Sequence, residues 1–406
     1  MLLPRLRFLL LLGGAVVQPA LPAQTPPATF QLVHADPNEY SPSNWDALVD
    51  FVAQAGARNI RVSLEFGSTW VEAILNDATG TRLATVQAWA LAGHAIGAHH
   101  HDYTHPYWDN YTDLEPDDDA LPDGEPVLGT MASFYALQNQ LAAAIGVGAP
   151  VCLFGGLDDS ITHEFPYGLP YGTDGCRAIG CAVSQPYFRI VNNYGAWYVD
   201  HTYLGAGESV KLQDLINLHA ATTAPNTFGF TLHVTDYATD PTLYTDWMDY
   251  LYSVDPTGQY NTTVPEILQP YGRPLEASQD FLPIGGGTVT LSLRTDSSLA
   301  GELVQFLVSL AGSEPGYLWG DPPYDDQIVI GLNPDTWTSW SMSAASDPWL
   351  PGFRGTLDAF GVATASIDTR GPLPTSWLGT RITVTAVVWD GSAVVFSANP
   401  VEIEVR

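Results

Sequence analysis

Short apolar runs alternate with stretches of helical periodicity from Phe30 to about Ser253. Phe30–His34 reads as a strand. Trp45, Leu48, Val49 and Val52 then fall at i, i+3, i+4 and i+7, the stripe of a helix packed on one side. Ser43, with Asp46 three residues later, resembles a capping box at its start. Ile60–Phe66 is the next strand, Thr69–Leu75 predicts a helix, and Leu83, Val86 and Ala90 predict another that ends at Gly93. A strand over His94–His100, a helix over Met131–Ile145 and a strand over Val151–Phe154 follow. The series closes with a strand at Ala196–Tyr203, a helix at Val210–His219, a strand at Phe228–His233 and a helix at Leu243–Leu251. Alternation of this kind predicts a parallel sheet, open or closed into a barrel. Two stretches interrupt it. Glu115–Pro126 is acidic and rich in Pro and Gly and reads as a loop, and Asp158–Tyr194 has little periodicity and reads as a long insertion near a site.

The pattern changes after Pro274. Gly285-Gly286-Gly287 leads into Thr288–Leu293, where Val289, Leu291 and Leu293 alternate with polar residues. Val304–Leu310, Ile328–Leu332, Gly361–Ile367, Ile382–Trp389 and Val394–Phe396 follow between Gly, Pro and Asp turns, and the closing Val401-Glu-Ile-Glu-Val405 alternates strictly. Short strands without intervening helices predict an antiparallel β-sandwich. The expected organisation is a signal peptide over 1–23, an α/β barrel over 28–272 and an all-β module over 276–406. The last contains no His and no Cys, so any histidine chemistry belongs to the barrel.

Composition narrows the function. The chain has 406 residues, 46% of them hydrophobic and 14% charged, which excludes a disordered chain. Its formal net charge is −30, and Lys211 is the only lysine. That field repels phosphate backbones and anionic lipid, so nucleic acid is set aside as a partner. At the N-terminus Arg5 and Arg7 precede the apolar run Phe8–Val17, and Leu21-Pro22-Ala23 offers a small-residue cleavage site. This is the anatomy of a secretory signal peptide. The run is shorter than the roughly 20 residues a bilayer span needs, so export without stable membrane insertion is expected. Cys176 and Cys181 are placed to close a small loop, with Cys152 a buried free thiol; the CxxC spacing of a structural zinc site is absent.

The ten histidines are clustered. Five fall in Gly93-His-Ala-Ile-Gly-Ala-His-His-His-Asp-Tyr-Thr-His-Pro106. If Ala95–His101 is a strand, His99 and His101 share one face and His100 takes the other. His105, four residues after His101, comes close through a turn. Neutral imidazole suits zinc and its neighbours, and carboxylates complete such sites. His34 and Asp36 end the first strand, two residues apart, and His233 ends the last barrel strand. Parallel α/β folds gather catalytic groups at the carboxyl ends of strands, so His34, Asp36, His99, His101, His105 and His233 are expected to converge on a divalent metal, with zinc first and nickel or cobalt as alternatives. His201 reads either as a weaker member or as a core histidine bonded to Asp200.

Gly93-His-Ala-Ile-Gly-Ala-His followed by His101-Asp-Tyr-Thr-His105-Pro106 resembles the second signature of the NodB-type polysaccharide deacetylases, a carbohydrate esterase family 4-like pattern. The resemblance implies a distorted (β/α) barrel that removes N- or O-acetyl groups from polysaccharides through an Asp-His-His metal site. It implies that His101 and His105 are the histidine ligands, that Asp36 is the aspartate ligand, and that His233 in Thr231-Leu-His is the general acid. The chain departs from the family at Ala35, where the family carries a catalytic aspartate. Two extra residues also separate Gly97 from His101, which leaves His99 as an alternative first ligand. Gly355–Ala365 and Ser397-Ala-Asn-Pro-Val resemble small sandwich modules appended to exported bacterial proteins.

An enzyme of this type needs a base and an acid around the metal. Asp36 or Asp102 can serve as the base and His233 as the acid, while Asp158-Asp159 is a further carboxylate pair or a solvated turn. Tyr103, Tyr107 and Trp108 can stack on sugar rings or pack the barrel. The expected substrate is an acylated polysaccharide. The alternatives are a glycan-binding barrel without catalysis and a metallohydrolase for a non-glycan amide or ester.

Overall fold

The computed structural model describes residues 25–101, 108–112, 127–146, 171–191, 194–313, 316–319, 328–343 and 347–406. The signal segment, the strand expected at Val151–Phe154 with Cys152, and the acidic loop at Glu115–Pro126 lie outside the described residues.

The first half follows the alternating pattern. β1 (Ala28–Ala35), α1 (Pro42–Gly56), β2 (Ser63–Phe66), α2 (Ser68–Leu75), α3 (Thr81–Leu91), β3 (Ala95–Ala98) and α4 (Met131–Ile145) come first. β4 (Tyr171–Cys176), β5 (Val183–Ser184), β6 (Tyr187–Val191), β7 (Tyr194–Tyr203), α5 (Ser209–Ala221), β8 (Thr227–His233), α6 (Val234–Thr239) and α7 (Pro241–Val254) complete it. Strands β3-β2-β1-β8-β7-β4 pair in that order, all parallel. This is a mixed α/β fold with a curled parallel sheet. β1 is buried over seven of its eight residues, as a central strand covered on both faces must be.

Helices seal the sheet through apolar stripes. α1 turns Trp45, Leu48, Phe51, Val52 and Ala55 inward, and α7 turns Leu243, Tyr244, Trp247, Met248 and Leu251 inward. Trp247 meets the rings of Phe228 and Phe230 on β8 at 5.8 and 5.3 Å. The cap of α1 differs from the expected Ser43 box. Ser41 accepts from the Asn44 N–H at 3.1 Å, because Pro42 occupies the first turn, where no N–H is needed.

The stretch read as an insertion carries β4, β5 and β6. β4 (Tyr-Gly-Thr-Asp-Gly-Cys) has no alternation of its own and is ordered by pairing with β7. Its glycines are required by neighbours: a Cβ on Gly172 would stand 2.3 Å from the Tyr198 ring, and one on Gly175 would stand 2.4 Å from His201 Nε2. Cys176 and Cys181 form the expected disulfide.

After β9 (Asn261–Thr262), which joins β1, and α8 (Val264–Leu268), the chain turns to β-structure. β10 (Leu275–Ala277), β11 (Phe281–Leu282), β12 (Thr288–Arg294), β13 (Leu303–Ser309), β14 (Tyr317–Trp319) and β15 (Ile328–Ile330) precede a helix, α9 (Thr336–Ser343). β16 (Arg354–Thr356), β17 (Val362–Asp368), β18 (Arg381–Trp389), β19 (Val394–Ser397) and β20 (Val401–Val405) end the chain. Two features depart from an all-β antiparallel module: α9 itself and the parallel pair β11–β20. The sheet β10-β12-β17 shares a core with β13, β18 and β20 through Leu291, Leu293, Phe306, Val384 and Ile403. The larger sheet runs on into the first half, where Ser397 of β19 pairs with Tyr194 of β7. Leu307, Ile330, Leu332, Val387 and Val394 also pack with Phe134, Ala196 and Tyr198 in one apolar cluster.

Candidate metal centre

Strand register assembles the site. His233 on β8 pairs with His34 on β1, His34 with Glu65 on β2, and Glu65 with Gly97 on β3. Asp36 follows the end of β1, and His99 and His101 follow the end of β3, so all converge at the carboxyl edge of the sheet. Asp36 is fixed from behind by the Trp70 indole N–H, which donates to its carbonyl at 2.8 Å. Gly67 lets Pro37 close over this corner, since a Cβ there would lie 2.8 Å from the proline ring.

Three ligand atoms form a tight triangle. His99 Nε2 and His101 Nε2 are 2.9 Å apart, and they lie 3.0 and 3.4 Å from Asp36 Oδ1. The two imidazole planes are almost perpendicular, at 88°. A second group lies behind it: Glu65 Oε2 approaches His34 Nε2 at 3.1 Å and His99 Nδ1 at 3.4 Å. These contacts are close but off-line for hydrogen bonds, and all three atoms are buried without a hydrogen-bond partner. The rings of His34 and His99 stack at 4.2 Å with 30° between planes. Stacked rings direct their lone pairs side by side, so this group suits support of His99 better than a separate ion. His233 Nε2 stands 3.7 Å from Asp36 Oδ2, and a third potential metal group joins His34, Asp36 and His233.

Burial makes the charges decisive. Asp36, Glu65 and His99 are completely enclosed, whereas the His233 side chain keeps 22% of its surface. Among the described residues, the ion-pair partners of Asp36 and Glu65 are all imidazoles. Burial pushes both carboxyls up, but the imidazoles around them outweigh it: Glu65 is held at about 2 and Asp36 well below its ordinary range. Burial opposes charging of His99, yet the carboxylates of Asp36 and Glu65, 3.0 and 3.4 Å from its two ring nitrogens, hold it up at about 9. His201, whose ring meets His34 edge-on at 5.6 Å, is pushed by burial to about 3, and burial takes His233 to about 4.

The structure therefore brings together His34, Asp36, His99, His101 and His233. His105, Asp102, Tyr103, Tyr107, Asp158 and Asp159 lie outside the described residues. Of the two readings of Trp108 the structure favours packing over the substrate contact: it is 3% exposed and its indole donates to the Tyr111 carbonyl at 3.4 Å. His201 does not bond Asp200, because consecutive strand residues point to opposite faces; Asp200 instead accepts from Tyr187 Oη at 2.7 Å. His100 turns away from the cluster to Asp109 at 2.8 Å. Glu65 was missed by sequence reading. Its signal is a lone acid inside the apolar run Ile60–Phe66, where a buried charge demands a partner.

No family model matches the chain, and no curated protein matches it in sequence. Among solved structures, it is similar to a 4-alpha-glucanotransferase from Thermococcus litoralis at 8% identity and a TM-score of 0.36, over 58% of this chain and 38% of that one. A DUF4466 family protein from Parabacteroides merdae matches at 12% identity and a TM-score of 0.15, over 32% of this chain and 45% of that one. The chain spans less than half of either protein, and likenesses this loose carry no functional inference.

Proposed function

We propose that the protein is an exported metal-dependent hydrolase that removes acetyl groups from a polysaccharide, with zinc as the expected ion and nickel or cobalt as substitutes. One observation carries the metal: among the described residues, the ion-pair partners of the two enclosed carboxylates, Asp36 and Glu65, are all imidazoles. A dication cancels that charge, and buried carboxylates without such compensation are costly. The donor set fits. Ligand atoms 2.0–2.2 Å from a tetrahedral zinc lie about 3.3–3.5 Å apart, close to the 2.9–3.4 Å edges of the Asp36–His99–His101 triangle. Three protein ligands leave a position open, as catalytic sites require.

When bound, such an ion supplies Lewis-acid polarisation of an acyl carbonyl and a more acidic water. The chain's own groups do the rest. Asp36, His99 and His101 hold the ion, and Glu65 with His34 orients His99 from behind. His233, the least buried member, moves a proton at Nε2 between the water and the departing amine or alcohol, while Asp236 lies 3.7 Å from its Nδ1. The glycan substrate rests on the His101-Asp-Tyr-Thr-His105-Pro106 resemblance.

A glycan-binding barrel without catalysis is the second reading. It is favoured by Ala35, which stands where the resembled family has its basic aspartate, and by the complete enclosure of Glu65. Elemental mass spectrometry of the mature protein, followed by acetate release from acetylated chito- and xylo-oligosaccharides, separates the two. About one equivalent of metal with acetate release that is lost in His233→Ala supports the hydrolase. Bound metal and glycan without acetate release favours the binding barrel, and no metal after reconstitution sinks the hydrolase.

A further inference from the structure

The C-terminal half contains a cleft lined by four tryptophans together with Leu373, Pro374, Thr336 and Asp347. Trp337 and Trp340 project from α9, Trp349 comes from the loop beyond it, and Trp377 comes from a short turn before β18. All four are half-buried and line one cavity of about 480 Å³. Trp340 and Trp377 each stand at 83° to Trp337, with ring centroids 5.2 Å away. The aromatic surface is therefore folded into walls and does not lie flat as a single platform.

One charged group faces this cavity. Asp347 accepts from the Trp340 indole N–H at 3.1 Å and from the Trp349 backbone N–H at 2.8 Å, which fixes its carboxylate at the rim. Thr336 is the remaining polar side chain among the described lining residues, and no Lys or Arg is among them. A sugar ring would bring several hydroxyls into a wall with few groups to bond them, each losing water without replacement. An organic cation with apolar substituents meets the opposite situation. Tryptophan faces attract it most strongly of the aromatic side chains, and the carboxylate complements its charge. The chain's net charge of −30 draws cations toward the surface generally.

We propose that the cleft of Trp337, Trp340, Trp349 and Trp377, with Asp347, is a binding site for a quaternary or methylated ammonium group. It shares no lining residue with the histidine cluster, which lies in the other half of the chain. Choline and its uncharged carbon analogue 3,3-dimethylbutan-1-ol have nearly the same shape, so calorimetric titration of the full-length protein with both isolates the charge. Choline is expected to bind about tenfold more tightly than the alcohol, and Asp347→Asn and Trp337→Leu are expected to weaken choline binding. Equal affinity for the two compounds would make the cleft merely apolar and overturn the proposal. Binding of glucose or N-acetylglucosamine oligomers without choline binding, or no binding of any of these, would overturn it as well. The comparison of ligands on the unaltered protein stands even where a variant fails to fold.

Discussion

The Glu65 carboxylate approaches His99 at Nδ1, 3.4 Å away, on the edge of the ring opposite the one that meets Asp36 and His101. One imidazole is thereby held with Nδ1 toward an acceptor and Nε2 toward the candidate metal position. A carboxylate that meets the far nitrogen of a ligand imidazole sets its tautomer and raises its basicity. Glu65→Gln is expected to keep metal at saturation but to weaken its affinity by about 10–100-fold, read by competition with a chromophoric chelator. Unchanged affinity would remove Glu65 from this role.

Neighbouring histidines should separate cleanly. His99→Ala and His101→Ala are expected to lose bound metal and to lower hydrolysis at least about 100-fold, as loss of a catalytic ion does. His100→Ala should retain the metal and instead lower stability by about 1–3 kcal/mol, because it removes the imidazole that meets the buried Asp109 carboxylate at Oδ2, while the Tyr111 N–H still bonds Oδ1. Elemental analysis and urea unfolding of the three variants decide it; metal loss in His100→Ala would contradict the facing assigned here.

The metal-free protein should have an inverted pH profile on its alkaline side. His99 is held at about 9, above its ordinary 6.5, so the stability it contributes is complete below pH 6.5 and is lost as the pH rises toward 9. Glu65 is held at about 2, below its ordinary 4.5, so its contribution is present above pH 4.5 and is lost on acidification toward 2. Chelator-treated protein is therefore expected to be most stable between these limits. Metal takes the place of the His99 proton and should abolish the alkaline loss. Urea midpoints that stay flat or rise from pH 6.5 to 9 without metal would count against the carboxylate–imidazole cluster.

Glu39 behaves in the opposite sense. Burial pushes its carboxyl up to about 7 against an ordinary 4.5, and Thr235 donates a hydrogen bond to it. The folded state prefers the neutral acid, so stability falls as the pH rises from 4.5 through 7 and remains reduced above. Glu39→Gln keeps the shape without the charge. It should leave the thermal midpoint near pH 4 almost unchanged and raise it at pH 8. Equal shifts at both pH values would show that burial of charge is not the cause.

Much of the first half was legible because local signals agreed with each other. Met131–Ile145 is bounded as read, with Thr130 capping one end and Gly146 in the left-handed conformation at the other. The histidine cluster was legible because residue types that bind metals sat at strand ends, where parallel sheets expose them. What escaped was information carried by partners distant in the chain. β4 has no pattern because its order comes from β7, and its glycines answer to Tyr198 and His201. The burial of Trp108 likewise depends on what folds over it. Glu65 hid inside an apolar strand, visible only as an anomaly. Ser43 drew attention from Ser41, although Pro42 marks the true first turn.

β7 is a shared spine. Its Tyr203, two residues after His201, pairs with Thr231 of β8, two residues before His233, and its Tyr194 end is knitted to Ser397 near the chain's last strands. Anything gripped by the C-terminal half is consequently coupled to the histidine site through a hydrogen-bonded strand and a common apolar cluster, with no slack tether between them.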